Sequence, residues 1–119
     1  MKVLFLVVLL LAMAGCDGNA PDEDPGQALA QSKGCAGCHS TDGSKSVGPT
    51  WQGIYGSRVE LDDGTVVIAD DAYLHESMLV PSAKTVKGFP KGLMETVIKP
   101  NSLNEKEVDQ LLAYIKSLK

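Results

Sequence analysis

Cys35-Ala36-Gly37-Cys38-His39 gathers two thiols and an imidazole within five consecutive positions. Two thiols three residues apart on a tight turn can each form a thioether to one of the two vinyl groups of a single porphyrin. The imidazole of the next residue then reaches the iron, and C-x-x-C-H is the attachment pattern for c-type haem. Gly34 and Gly37 keep such a turn uncrowded. Two other uses of the cysteines fit less well. A structural zinc site needs further Cys or His ligands, and beyond this run the folded part of the chain offers only His75. A thioredoxin-type redox pair requires a strand before it within a βαβ unit, whereas a helical pattern precedes Cys35. Trp51 and Tyr55 read as packing for a haem pocket rather than as catalytic groups, because such rings supply large apolar areas.

The elements that must position these residues are short. Asp24-Pro25-Gly26-Gln27 reads as a helix start, with Asp24 as N-cap, Pro25 at the first helical position and Gln27 placed for a capping box, opening a helix to about Lys33. A helix over Ala72–Leu79 starts at Asp70 or Asp71 and stops at Pro81. The clearest helix is the last. Asn104 caps it, Glu107 closes the box, Leu103 can staple against Val108, and Val108, Leu111, Leu112, Ile115 and Leu118 recur at helical spacing. Between them, Val59 and Leu61, then Asp62-Asp63-Gly64, then Val66 and Val67 suggest a small hairpin over Arg58–Ile68. Ser40–Gln52 and Ser82–Met94 read as loops. The fold is expected to be mainly α, and so few helices make a poor core unless something large and apolar fills the middle.

The first residues are of another kind. Met1 and Lys2, the apolar run Val3–Ala12 and Met13-Ala14-Gly15-Cys16 form the regions of an export signal over residues 1–15. The run is well short of the roughly 20 apolar residues that cross a bilayer. Small residues before Cys16 resemble a bacterial lipobox, with Met13 standing where Leu is usual, so Cys16 is the expected lipid attachment site. Asp17 after it resembles a signal for retention at the inner membrane. Asp17–Asp24 is polar and reads as a solvated tether that reaches about 27 Å when extended. Residues 25–119 are left for one domain, expected at the outer face of the cytoplasmic membrane.

From Gly26 to the C-terminus the chain resembles the class I cytochromes c, most closely the cytochrome domain fused to subunit II of some bacterial haem-copper oxidases. The resemblance is carried by Gly34–Gly43, by Val47-Gly48-Pro49-Thr50-Trp51, by Gly53–Ser57, by the acidic hairpin, by Ala72-Tyr73-Leu74 with Glu76-Ser77, and by Tyr114–Leu118. It implies a fold of three to five short helices around one covalent haem c, with the hairpin as an insertion. His39 is then the proximal iron ligand, and the Pro49 carbonyl accepts the proton on its other ring nitrogen. The distal ligand implied is Met94, after Phe89-Pro90-Lys91-Gly92-Leu93, although Glu95 stands where proline is common; Met78 and His75 are the other candidates. Met78 reads as a core filler and His75 as an exposed helix residue. No copper module or paired transmembrane segment precedes the domain, so the chain looks like a free-standing, lipid-tethered relative.

Net charge over the 119 residues is −4, and loss of residues 1–15 removes Lys2 alone among the charged groups, giving −4 − 1 = −5. Such a balance argues against nucleic acid as a partner. Glu60, Asp62, Asp63, Asp70 and Asp71 crowd the hairpin, while Lys84, Lys87, Lys91 and Lys99 flank Met94. Solvation explains this distribution most simply; a basic ring around the haem edge for acidic partners is the sharper reading. The expected function is single-electron carriage between a quinol-oxidising or other donor complex and a terminal oxidase or reductase, without enzymatic activity. A haem-bearing subunit of an oxidase or dehydrogenase is the alternative, as is a peroxidase or gas sensor should Met94 not bind iron.

Overall fold

The computed structural model describes residues 21–119; the leader of residues 1–15, Cys16 and the first part of the tether lie outside the described residues. Helix α1 spans Pro25–Ser32. Its start is fixed by the Asp24 carboxylate, which accepts the N–H groups of Gly26 at 2.8 Å and Gln27 at 3.2 Å. Both bonds go to the cap's own oxygen, and Gln27 makes no return bond of the capping-box kind. Gly34, at φ +82°, stops the helix in the left-handed conformation that glycine adopts without strain.

Strands β1, Arg58–Glu60, and β2, Val66–Ile68, pair antiparallel with Val59 opposite Val67. The turn is closed by Asp63, whose carboxylate accepts the Thr65 N–H at 2.9 Å, and by Gly64 at φ +84°. On the far edge of β1 the following loop straps itself to the hairpin. Thr85 O accepts from Asp62 N–H at 2.9 Å, and Lys87 N–H donates to Glu60 O at 3.0 Å. Helix α2, Asp71–Leu79, is capped by Asp70 and presents Leu74 and Met78 to the core. Helix α4, Glu105–Ser117, carries the full capping box, with Asn104 and Glu107 exchanging bonds of 3.0 Å each. Its buried stripe is Val108, Leu111, Leu112 and Ile115, and burying each such side chain is worth about 1.5–3 kcal/mol. Among the described residues no helix is long and apolar enough to cross a membrane.

One element departs from the sequence expectation. Met94 does not end a loop. It sits in the first turn of a five-residue helix, α3, Leu93–Val97, entered through Gly92 at φ +75°. The Thr96 hydroxyl donates to Leu93 O at 2.6 Å and Ile98 N–H donates to Met94 O at 2.9 Å. A helix this short rests on tertiary support, here the buried Ile98 that follows it.

The main seam of the fold joins α1 to α4. A β-carbon on Gly26 would stand 2.2 Å from the Gln110 carbonyl oxygen and 2.5 Å from Tyr114 Cβ, so the two backbones touch where only glycine fits. Lys33 at the end of α1 pairs with Glu107 in the first turn of α4 at 2.9 Å. Gly26→Ala is expected to force the helices apart at a cost of about 1–3 kcal/mol, the usual range for overpacking. A lower urea midpoint with an unchanged slope is the measurement that checks it.

Candidate functional site

Because α1 ends at Gly34, the next residues turn sharply. Cys35–Gly37 form a single 3-10 turn, and the N–H groups of Cys38 and His39 both donate to Cys35 O, at 3.1 and 2.9 Å. Cys35 is buried and Cys38 half-buried, and both are free thiols. Burial is the chief reason that the Cys35 thiol is pushed above its ordinary pKa, so it is protonated rather than a reactive thiolate.

The loop from Ser40 to Gln52 folds back over this turn. Trp51 N–H donates to Ser40 O at 2.8 Å and Gly48 N–H donates to Cys38 O at 2.9 Å. This return delivers the Pro49 carbonyl to 2.7 Å from His39 Nδ1. A carbonyl can only accept, so Nδ1 carries the proton and Nε2 keeps its lone pair for a metal. Burial lowers the His39 pKa, outweighing the opposite pull of the Pro49 carbonyl, so the ring is neutral at neutral pH. Trp51 stacks on it, with centroids 5.2 Å apart and planes at 19°. Gly48, in the sequence only one member of the Val47–Trp51 motif, has a structural role of its own: a β-carbon there would lie 2.8 Å from His39 Cε1. The Gly-Pro pair at 48–49 was the signal available for it, since it marks a turn in which backbone approaches closely.

Cys35, Cys38, His39, Pro49, Trp51 and Met94 all line one crevice. The crevice is lined mostly by apolar side chains and opens to solvent at its mouth. Leu74 and Met78 of α2 and Ile98 after α3 complete the apolar wall. The donor set fits a covalently held haem: two unpaired thiols one turn apart, an oriented imidazole with a free lone pair, and thioethers in an otherwise apolar wall. Two methionines reach the crevice, Met94 half-buried on α3 and Met78 buried on α2. His75 does not; it pairs with Glu105 at 3.0 Å on the surface.

Tyr55 stands apart from these residues. It is 42 % exposed and lies outside the crevice lining. Its hydroxyl donates to Asp71 at 2.8 Å, Lys116 holds the other oxygen of that carboxylate at 2.7 Å, and the Lys116 ammonium stands 4.9 Å from the ring centroid. The ring therefore packs against a surface cation and ties the post-Trp51 turn to α2 and α4. The basic ring is also incomplete. Lys84 pairs with Glu76, and Lys87 pairs with hairpin Glu60 at 2.7 Å, so two of the four lysines are offset by neighbouring acids.

A family model described as Cytochrome c matches residues 23–119. No curated protein matches the chain. With the match covering nearly all of the described residues, four helices and a two-stranded sheet constitute the mainly helical cytochrome c fold. The chain belongs to the cytochrome c family, whose members bind haem c covalently and transfer single electrons.

Proposed function

We propose that this protein is a membrane-tethered monohaem electron carrier of a respiratory chain, working outside the cytoplasm between a quinol-oxidising or other donor complex and a terminal oxidase or reductase. The observation that carries the reading is the single crevice that gathers Cys35, Cys38, His39 and Met94, with His39 oriented by Pro49. Haem c supplies a one-electron iron couple when bound. Cys35 and Cys38 would hold the porphyrin by thioethers, His39 would offer Nε2 to the iron, and Met94 would offer its thioether, leaving no position on the metal for a small substrate. The apolar wall would favour the less charged ferrous state of the bound group. Support for placement at the membrane comes from the export signal over residues 1–15, Cys16 after small residues, and the polar tether.

The test is expression of the full chain in a bacterium with a working haem-attachment system, followed by fractionation. Haem-bearing protein is expected in the membrane fraction, degraded by protease added outside spheroplasts. Cys16→Ala should move it to the soluble extracytoplasmic fraction with an unchanged absorption spectrum. Ferrous protein added to respiring membranes of the source organism should be oxidised in a cyanide-sensitive manner. Retention in the cytoplasm, or a mature N-terminus away from Cys16 without lipid, removes the tether; failure to be oxidised removes the respiratory role.

A further inference from the structure

The turn that carries the cysteines and the helix that carries Met94 are far apart in sequence, yet they meet at one point. A β-carbon added to Gly34, the residue before Cys35, would stand 3.2 Å from Val97 Cγ1, closer than apolar groups normally pack. Gly34 has little freedom to move. It lies at φ +82° between α1 and the 3-10 turn, its N–H donates to Gln31 O at 3.2 Å, and its carbonyl accepts from Gly37 N–H at 3.3 Å. Val97 follows Met94 by three residues, so the two share one face of α3. That helix has no side-chain N-cap and is too short to hold itself in place. Although Val97 lines the crevice, it is 49 % exposed, and core filling does not account for its position.

We propose that Val97 is a positioning residue for Met94: seated on the glycine before Cys35, it registers α3 against the haem-attachment turn and so sets how firmly the thioether is held. The inference rests on the reading of Met94 as the distal ligand and adds what governs how long that ligand stays bound. Gly34 is the required counterpart. A β-carbon there would press on Val97 Cγ1, beyond the strain of a positive φ.

Ferric holoprotein of the full chain decides the matter, through its cyanide association rate, its near-infrared sulfur-to-iron absorption and its reduction potential. Val97→Ala is expected to accelerate cyanide binding about tenfold, the lower end of what outer partners of a metal ligand contribute. It should weaken the near-infrared band and lower the potential, with little change in the urea midpoint. Val97→Ile keeps both γ-carbons and should restore wild-type behaviour. Val47→Ala is the control for solvent entry, since Val47 also lines the crevice, is 50 % exposed and is not part of α3. A Val97→Ala rate within about twofold of wild type, below the contribution expected of an outer partner, overturns the proposal. Equal acceleration by Val47→Ala overturns it in favour of simple shielding. Should the unsubstituted protein lack the band and bind cyanide at once, Met94 is not the ligand and the positioning role falls with it, a result visible before any substitution is made.

Discussion

Met94→Ala is expected to leave the iron of the haem-loaded protein open, so that it takes up cyanide or carbon monoxide at once. The side chain lost is a soft thioether from a half-buried position in the crevice wall. Thioether ligation favours ferrous iron and raises the potential of cytochromes c. Its removal should therefore lower the potential by on the order of 0.1 V, a modest part of the roughly 0.8 V range that axial ligands command. The weak near-infrared absorption of sulfur-to-iron charge transfer should vanish from the ferric spectrum. Met78 lines the same crevice from α2 and supplies the discriminating comparison. Met78→Leu conserves volume at a site only 5 % exposed and should cost under about 1.5 kcal/mol, with band and potential intact. Loss of the band in Met78→Leu but not in Met94→Ala would exchange the two roles. An immediate reaction of the unsubstituted protein with exogenous ligand would point instead to a peroxidase or gas sensor.

Replacing both Cys35 and Cys38 by alanine should take the protein from complete retention of haem after denaturation to complete extraction by acid-acetone. The basis is local: two free thiols flank one 3-10 turn, and thioethers survive unfolding whereas iron coordination does not. Either single substitution leaves one thioether, so Cys35→Ala and Cys38→Ala should each keep haem through denaturation. Cys35 is 8 % exposed and Cys38 half-buried, so the first is expected to cost more folding stability. Extraction of haem from the unsubstituted protein, matured in a host competent for attachment, would refute the assignment of these cysteines.

What could be read from the chain beforehand was whatever is encoded within a few neighbouring residues. The exchange of bonds between Asn104 and Glu107, the Asp24-Pro25 helix start and the Asp63-Gly64 turn are complete within three or four positions, and each appears in the structure. Helix α3 escaped because it is short. Its five residues include β-branched Thr96 and Val97, and Pro90, Gly92 and Pro100 surround it, a composition that speaks for loop. The surroundings of Tyr55 are illegible in the sequence for a different reason. An aromatic ring near Trp51 looks like pocket lining until Asp71 and Lys116 arrive from α2 and α4, and partners so distant leave no local trace. The same holds for Lys87, whose neighbour Glu60 comes from the hairpin through the strap at residues 85–87. Gly48 lay in plain view beside Pro49, but only the return of the loop onto His39 shows why a side chain is impossible there.

The seam at Gly26 has a mechanical side. A force applied to the residues before Pro25 enters the domain through α1, which lies directly on Gln110 and Tyr114 and is pinned again at its other end by Lys33 and Glu107. Such a load runs into α4 as shear across two packed backbones before it can reach Gly34 and the turn beyond. A load entering from the N-terminal side is therefore met first by the α1–α4 seam, ahead of the turn that carries His39.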